Sequence, residues 1–160
     1  MTGSYLRFGA MIATSTVVML GLMYLNTYEF SHVYFSETRT YMALYMGSAM
    51  AIIMLAYMLD MNANRTANFA IFGMSLVVFL ASLYLVRSQV AVQDAAWMKA
   101  MIPHHSIAIL TSERAEISDP RVRKLADEII KAQRLEIAEM KALIADLNGG
   151  PKATPEIDGK

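Results

Sequence analysis

Three uncharged apolar runs, residues 8–25, 41–59 and 66–86, constrain this chain more than any other feature. Each is about 18–21 residues long, enough for a helix to cross a hydrocarbon core at 1.5 Å per residue. As buried helices of a soluble bundle they would need polar stripes, which these runs lack. Arg7 precedes the first run as in a secretory leader, but no small-x-small cleavage pattern follows Leu25, so the run reads as a retained helix. The breaks at residues 26–40 and 60–65 read as connecting loops. Three spans follow.

Charge divides the chain a second time. Of the 14 basic and 14 acidic residues, only Arg7, Arg39, Arg65, Arg87, Glu29, Glu37 and Asp60 precede Gln89. The expected organisation is therefore a membrane domain over 1–88, a water-exposed helical domain over 89–148 and a flexible tail over 149–160. Hydrophobic residues make up 56% of the 160, and charged residues only 18%. The formal net charge is +0, without the basic footprint of a nucleic-acid binder. Arg7 and Arg65 fall on one side of the membrane, Arg39 and Arg87 on the other. With the first helix dominant, the N-terminus lies inside and the C-terminal domain outside the cytoplasm. Tyr24, Tyr28, Phe30, Tyr34, Phe35 and Tyr41 crowd the first loop, as interfacial aromatics do.

The absence of cysteine excludes disulfides, zinc knuckles, iron–sulfur clusters and thiol catalysis. Methionine, with 14 copies, is the one sulfur ligand left. Met42, Met46, Met50, Met54 and Met58 form one stripe along the second span. That stripe is either a thioether track for a soft metal or flexible packing beside Gly47, Ser48 and Ala51, and packing is the favoured reading.

Beyond Gln89 the pattern becomes amphipathic. Ser118-Asp119-Pro120 offers a cap and an early-turn proline, and Asn148-Gly149-Gly150-Pro151 a stop. Two antiparallel helices joined near 117–119 bury little alone, which predicts self-association into a four-helix bundle or packing on the membrane part. In the second helix Val122, Ala126, Ile129, Gln133, Glu136, Met140, Leu143 and Leu147 make a heptad seam, with Ile130, Ile137 and Ile144 beside it. Gln133 and Glu136 then occupy apolar positions. Glu136 should meet a metal, a cation or a donor, or else form a register-setting pair or a salt bridge to Lys99 or Arg114.

In the first of these helices Met98, Met101 and His105 share a face, and His104 lies about 100° further round. Pro103 should bend the helix, turning the imidazoles inward or freeing a carbonyl. Thioethers combined with imidazoles suit Cu(I) and tolerate Cu(II). No hydrolase elbow, phosphate loop, Rossmann glycines or His-Glu-x-x-His motif is present, so no enzyme is expected and no catalytic residue is assigned.

The run Met98-x-x-Met101-Ile102-Pro103-His104-His105-x-x-Ala108-Ile109 resembles the signature of a ferritin-like domain-of-unknown-function family that includes copper-binding CopM-type proteins. Asp119-Pro120-Arg121-Val122, Leu125-Ala126, Ile129-Ile130, Gln133, Glu136-Ile137 and Met140-Lys141 extend the likeness over about 94–147. The three-span front end looks like the membrane-anchored branch of that family. The resemblance implies an all-α, ferritin-like fold of three transmembrane helices and a hairpin that is half of a four-helix bundle. It also implies a bacterial inner membrane protein with a periplasmic hairpin, handling copper through Met98, Met101, His104, His105 and Met140, with Gln133 and Glu136 behind them.

Two departures qualify the site. Leu110-Thr111-Ser112 stands where relatives often carry methionine, and the motif occurs once, so a complete site can require two chains. A di-iron centre is not implied, because the only Glu-x-x-His match is Glu29-x-x-His32, in the first loop. The expected function is copper binding, buffering or resistance, with membrane lipid and a second copy as partners and no nucleic acid. The alternative is an oligomeric membrane scaffold or interaction module in which the histidines are core residues.

Overall fold

The computed structural model describes residues 2–59 and 64–153; the tail 154–160 and most of the loop at 60–65 lie outside the described residues. Among the described residues the chain is all-helical, with no strand. Its helices are α1 (Thr2–Leu22), α2 (Glu37–Tyr57), α3 (Arg65–Ser88), α4 (Asp94–Arg114) and α5 (Pro120–Leu147), with a short 3-10 turn at Phe30–His32. The first three are long and apolar enough to cross a membrane. All three begin ahead of their apolar runs, because flanking polar residues such as Arg39 continue the same hydrogen-bond ladder.

Two compact units form. One comprises Met1–Met23 and Glu37–Ala91, the other Tyr24–Ser36 and Val92–Lys160. The division expected from charge, at 88/89, leaves the first loop with the spans; in the structure that loop clusters with α4 and α5.

In the first unit, α2 packs against both α1 and α3. The buried face of α2 carries Ala43, Gly47, Ser48, Ala51 and Leu55, and that of α3 carries Asn68, Ser75 and Ser82 at intervals of seven. Small residues let apolar helices approach closely where no hydrophobic force separates protein from lipid. A Cβ at Gly47 would land on Thr16 Oγ1. The five methionines flank this seam and none is fully buried; Met54 and Met58 pack on the Phe8–Ala51–Leu55 cluster, which fits the packing reading. Asn64 caps α3 by accepting the Ala67 N–H at 3.1 Å, and α3 ends where Gln89 turns left-handed, φ 52°. Gln89 returns its side-chain amide to the Val86 carbonyl at 2.7 Å, closing the helix end.

In the second unit, Asp119 caps α5 by accepting the Arg121 N–H at 2.8 Å, with Pro120 in the first turn. The neighbouring Arg121 guanidinium holds the Asp119 carboxyl below its usual range. Helices α4 and α5 join through one apolar cluster of Met98, Ile102, Ile109, Ile137, Met140 and Ile144, with Met101, Ile130, Leu143, Tyr28 and Tyr34 against it. The inward stripe of α5 is thus Ala126, Ile130, Gln133, Ile137, Met140 and Ile144. This corrects the seam drawn from sequence: Ile129 and Glu136 leave it, while Ile130 and Ile137 enter. The rotation carries a carboxylate out of the core and an isoleucine in, which removes a desolvation cost.

Candidate metal centre

Five residues carry the expected metal donors, and the structure brings four of them to one region. Met98 and Met140 are 5% and 6% exposed and lie in the same apolar cluster, with Met101 packed against it. His105 follows Met101 by one turn of α4, its side chain 12% exposed and directed to Glu136 of α5. His104 is exposed, and its ring meets that of His105 edge-on, centroids 6.3 Å apart. The expectation that Pro103 turns both imidazoles inward therefore fails. Pro103 is buried within a continuous α4, and successive residues on a helix point about 100° apart, so only one ring reaches the interior.

His105 is held at both nitrogens. Nδ1 lies 2.8 Å from the Met101 carbonyl oxygen, and Nε2 lies 2.7 Å from Glu136 Oε2. A carbonyl and a carboxylate both accept, so each is a partner suited to a ring N–H. Gln133 Nε2 donates to the same Glu136 oxygen at 3.2 Å. Glu136 thus meets neither Lys99 nor Arg114, and it is not buried: its side chain is 49% exposed. Metal-binding imidazoles commonly anchor one ring N–H on a backbone carbonyl and ligate through the other nitrogen. The Met101 carbonyl supplies that anchor. The donors available at this edge of the cluster are three thioethers and one imidazole, a soft set. Among the described residues no three His, Cys, Asp or Glu side chains gather as a candidate metal cluster.

The first loop provides a second polar centre that sequence reading missed. Ser106, fully buried on α4, accepts the Tyr28 N–H at 2.7 Å, and its Oγ lies 3.0 Å from His32 Nδ1. Lys141 of α5 donates to Ser31 Oγ at 3.2 Å. Arg134 pairs with Glu113 and lies 6.0 Å from the Tyr28 ring centroid. The Glu113 carboxylate raises the Tyr28 hydroxyl above the ordinary phenol range. The hydrogen bonds from the first loop to α4 and α5 span 74 to 110 residues of sequence, so local pattern carries no trace of them. Only the adjacency of Glu29 and His32 was visible.

Burial, then the nearby Lys141 cation, lowers the His32 pKa below its ordinary value, with Glu29 opposing. Protonating His32 therefore costs more in the folded than in the unfolded chain. Its contribution to stability is complete above the ordinary imidazole pKa of about 6.5. That contribution declines as pH falls below 6.5 toward the lowered folded value. Thermal unfolding of the metal-free protein at about pH 7.5 and about pH 5 should show this loss. In His32→Gln the loss should be smaller.

Residues 80–156 match a family model described as Domain of unknown function (DUF305). The uncharacterized protein L153 of Acanthamoeba polyphaga mimivirus is 32% identical over 106 residues, covering 65% of this chain and 68% of that protein. The chain belongs to the DUF305 family. The match takes in α4 and α5 with the end of α3, so the donor set lies wholly inside it. No solved structure matches the chain.

Proposed function

We propose that this chain is a three-span membrane protein that binds copper, as Cu(I), at the α4–α5 pair and performs no catalysis. The observation that carries the reading is the His105 anchor: Nδ1 on the Met101 carbonyl, Nε2 turned toward α5, beside buried Met98 and Met140. Met98, Met101, Met140 and His105 supply the donors. Glu136 faces Nε2, with Gln133 orienting its carboxylate, and would position the ring for a bound ion. His104, exposed, stands outside the set in one chain and is available to a second copy.

The pairs Glu113–Arg134 and His105–Glu136, in which one number rises as the other falls, support an antiparallel hairpin. Val122, Leu125 and Ile129 are 49%, 56% and 36% exposed at intervals of three and four on α5, which supports a second copy completing a four-helix bundle. Contacts of the first loop with α4 and α5 require both to lie on one side of the membrane. Crossing by both α2 and α3 delivers that arrangement; crossing by one of the two alone would not. We place that side in the periplasm of a bacterial inner membrane, following the charge pattern and the family resemblance.

Burial of Met98 and Met140 among isoleucines is also what the alternative, a packing module without metal, requires. Competition titration of detergent-purified full-length protein with Cu(I) separates the two. Leucine nearly conserves methionine volume and typically costs under about 1.5 kcal/mol, so Met98→Leu/Met140→Leu keeps the core and removes two of the three sulfurs. Stoichiometric Cu(I) binding that is lost in this variant is the expected result. No binding in the wild type would favour the packing module, and unchanged binding in the variant would remove these two sulfurs from the site.

A further inference from the structure

The second polar centre carries an inference independent of the copper reading. Beneath the first loop lies a cavity of about 280 Å³, lined by Tyr28, Glu29, His32, Ile109, Arg134 and Ile137. His32 is 7% exposed, and its Nδ1 is engaged by Ser106. Its Nε2 has no hydrogen-bond partner among the described residues; what faces it is Glu29 Oε2, 3.8 Å away. That distance is too long for a hydrogen bond in either tautomer. A buried polar atom facing a cavity without a protein partner takes an ordered water or an ion.

We propose that Glu29 Oε2 and His32 Nε2 form a second cation site, for a borderline divalent ion of the Zn(II) type. Zinc bonds to imidazole nitrogen and carboxylate oxygen are about 2.0–2.2 Å long. Two such donors 3.8 Å apart can share one ion at an angle of about 120–145°, and the exposed Glu29 side chain can close it toward tetrahedral, its other positions open to the cavity. The supports behind the donors are in place. Ser106 fixes the ring through Nδ1, and Ser31 donates to Glu29 Oε2 at 3.1 Å while receiving Lys141. Arg134 is paired with Glu113, and Lys141 is held on Ser31, where its charge still acts on His32. Neutral imidazole is the ligating form, and burial beside Lys141 favours it. With nitrogen and oxygen donors and no sulfur, the site discriminates against Cu(I).

The chain has three histidines, so in the full-length His104→Ala/His105→Ala variant His32 is the sole imidazole. Nitrogen NMR of that variant, labelled at histidine and titrated with Zn(II), reads the site directly. The expected result is a saturable shift of Nε2 at one equivalent per chain, with Nδ1 little changed. Glu29, with its side chain 56% exposed, can be altered without opening the core, and Glu29→Gln should weaken binding at least about tenfold. An unmoved Nε2 resonance at excess Zn(II) would overturn the site. An unchanged affinity in Glu29→Gln would overturn the pairing.

Discussion

Alanine at position 105 is expected to weaken Cu(I) binding by at least about 100-fold, whereas alanine at position 104 should change it by less than about threefold. Altering a group that merely orients a metal ligand typically costs 10–100-fold, so losing a ligand should cost no less. The two histidines are chemically alike and adjacent, and their environments decide the difference. His105 is anchored on the Met101 carbonyl and faces α5, while His104 is exposed. The double variant should lose tight binding and retain the membrane oligomer. Competition with a chromogenic Cu(I) chelator measures all three variants. Equal losses from the two single variants would mean that both rings ligate, one of them to a second chain. Unchanged affinity in the double variant would remove the histidines from the site.

The second large effect concerns stability. Ile102 is 0% exposed at the centre of the cluster joining α4 to α5. Ile102→Ala should destabilise that unit by about 2–5 kcal/mol, combining lost transfer energy with a residual cavity. Because the clustered first loop shares the same core through Tyr28 and Tyr34, its contacts should loosen together with the helix pair. Hydrogen exchange in detergent is the suitable measurement. Protection should fall in α4, α5 and the Tyr28 amide, and persist in the three apolar helices. A loss confined to the residues around position 102 would contradict a cooperative second unit.

The sequence makes the elements legible where local chemistry decides them. The three apolar helices follow from the absence of charge, and the start of α5 follows from Asp119 and Pro120. The register of α5 was not legible, because isoleucine or leucine occupies both 129/143 and 130/144, two overlapping four-three patterns. Only the face of α4 that meets them selects Ile130 and Ile137, and this releases Glu136 to His105. The divergence of His104 and His105 was available from the 100° step, but the expected kink at Pro103 obscured it. The role of the first loop had no local signal. Its aromatics read as interfacial, and Phe30 and Phe35 are indeed exposed, but Tyr28 and Tyr34 pack on the α4–α5 core.

X-ray absorption at the copper edge of the Cu(I)-loaded full-length protein tests the central claim most directly. Thioether sulfur neighbours together with one imidazole nitrogen are the predicted shell, with the sulfur scattering reduced in Met98→Leu/Met140→Leu, where Met101 is the one thioether of the set that remains. A shell of nitrogen and oxygen alone, unchanged in that variant, would contradict it.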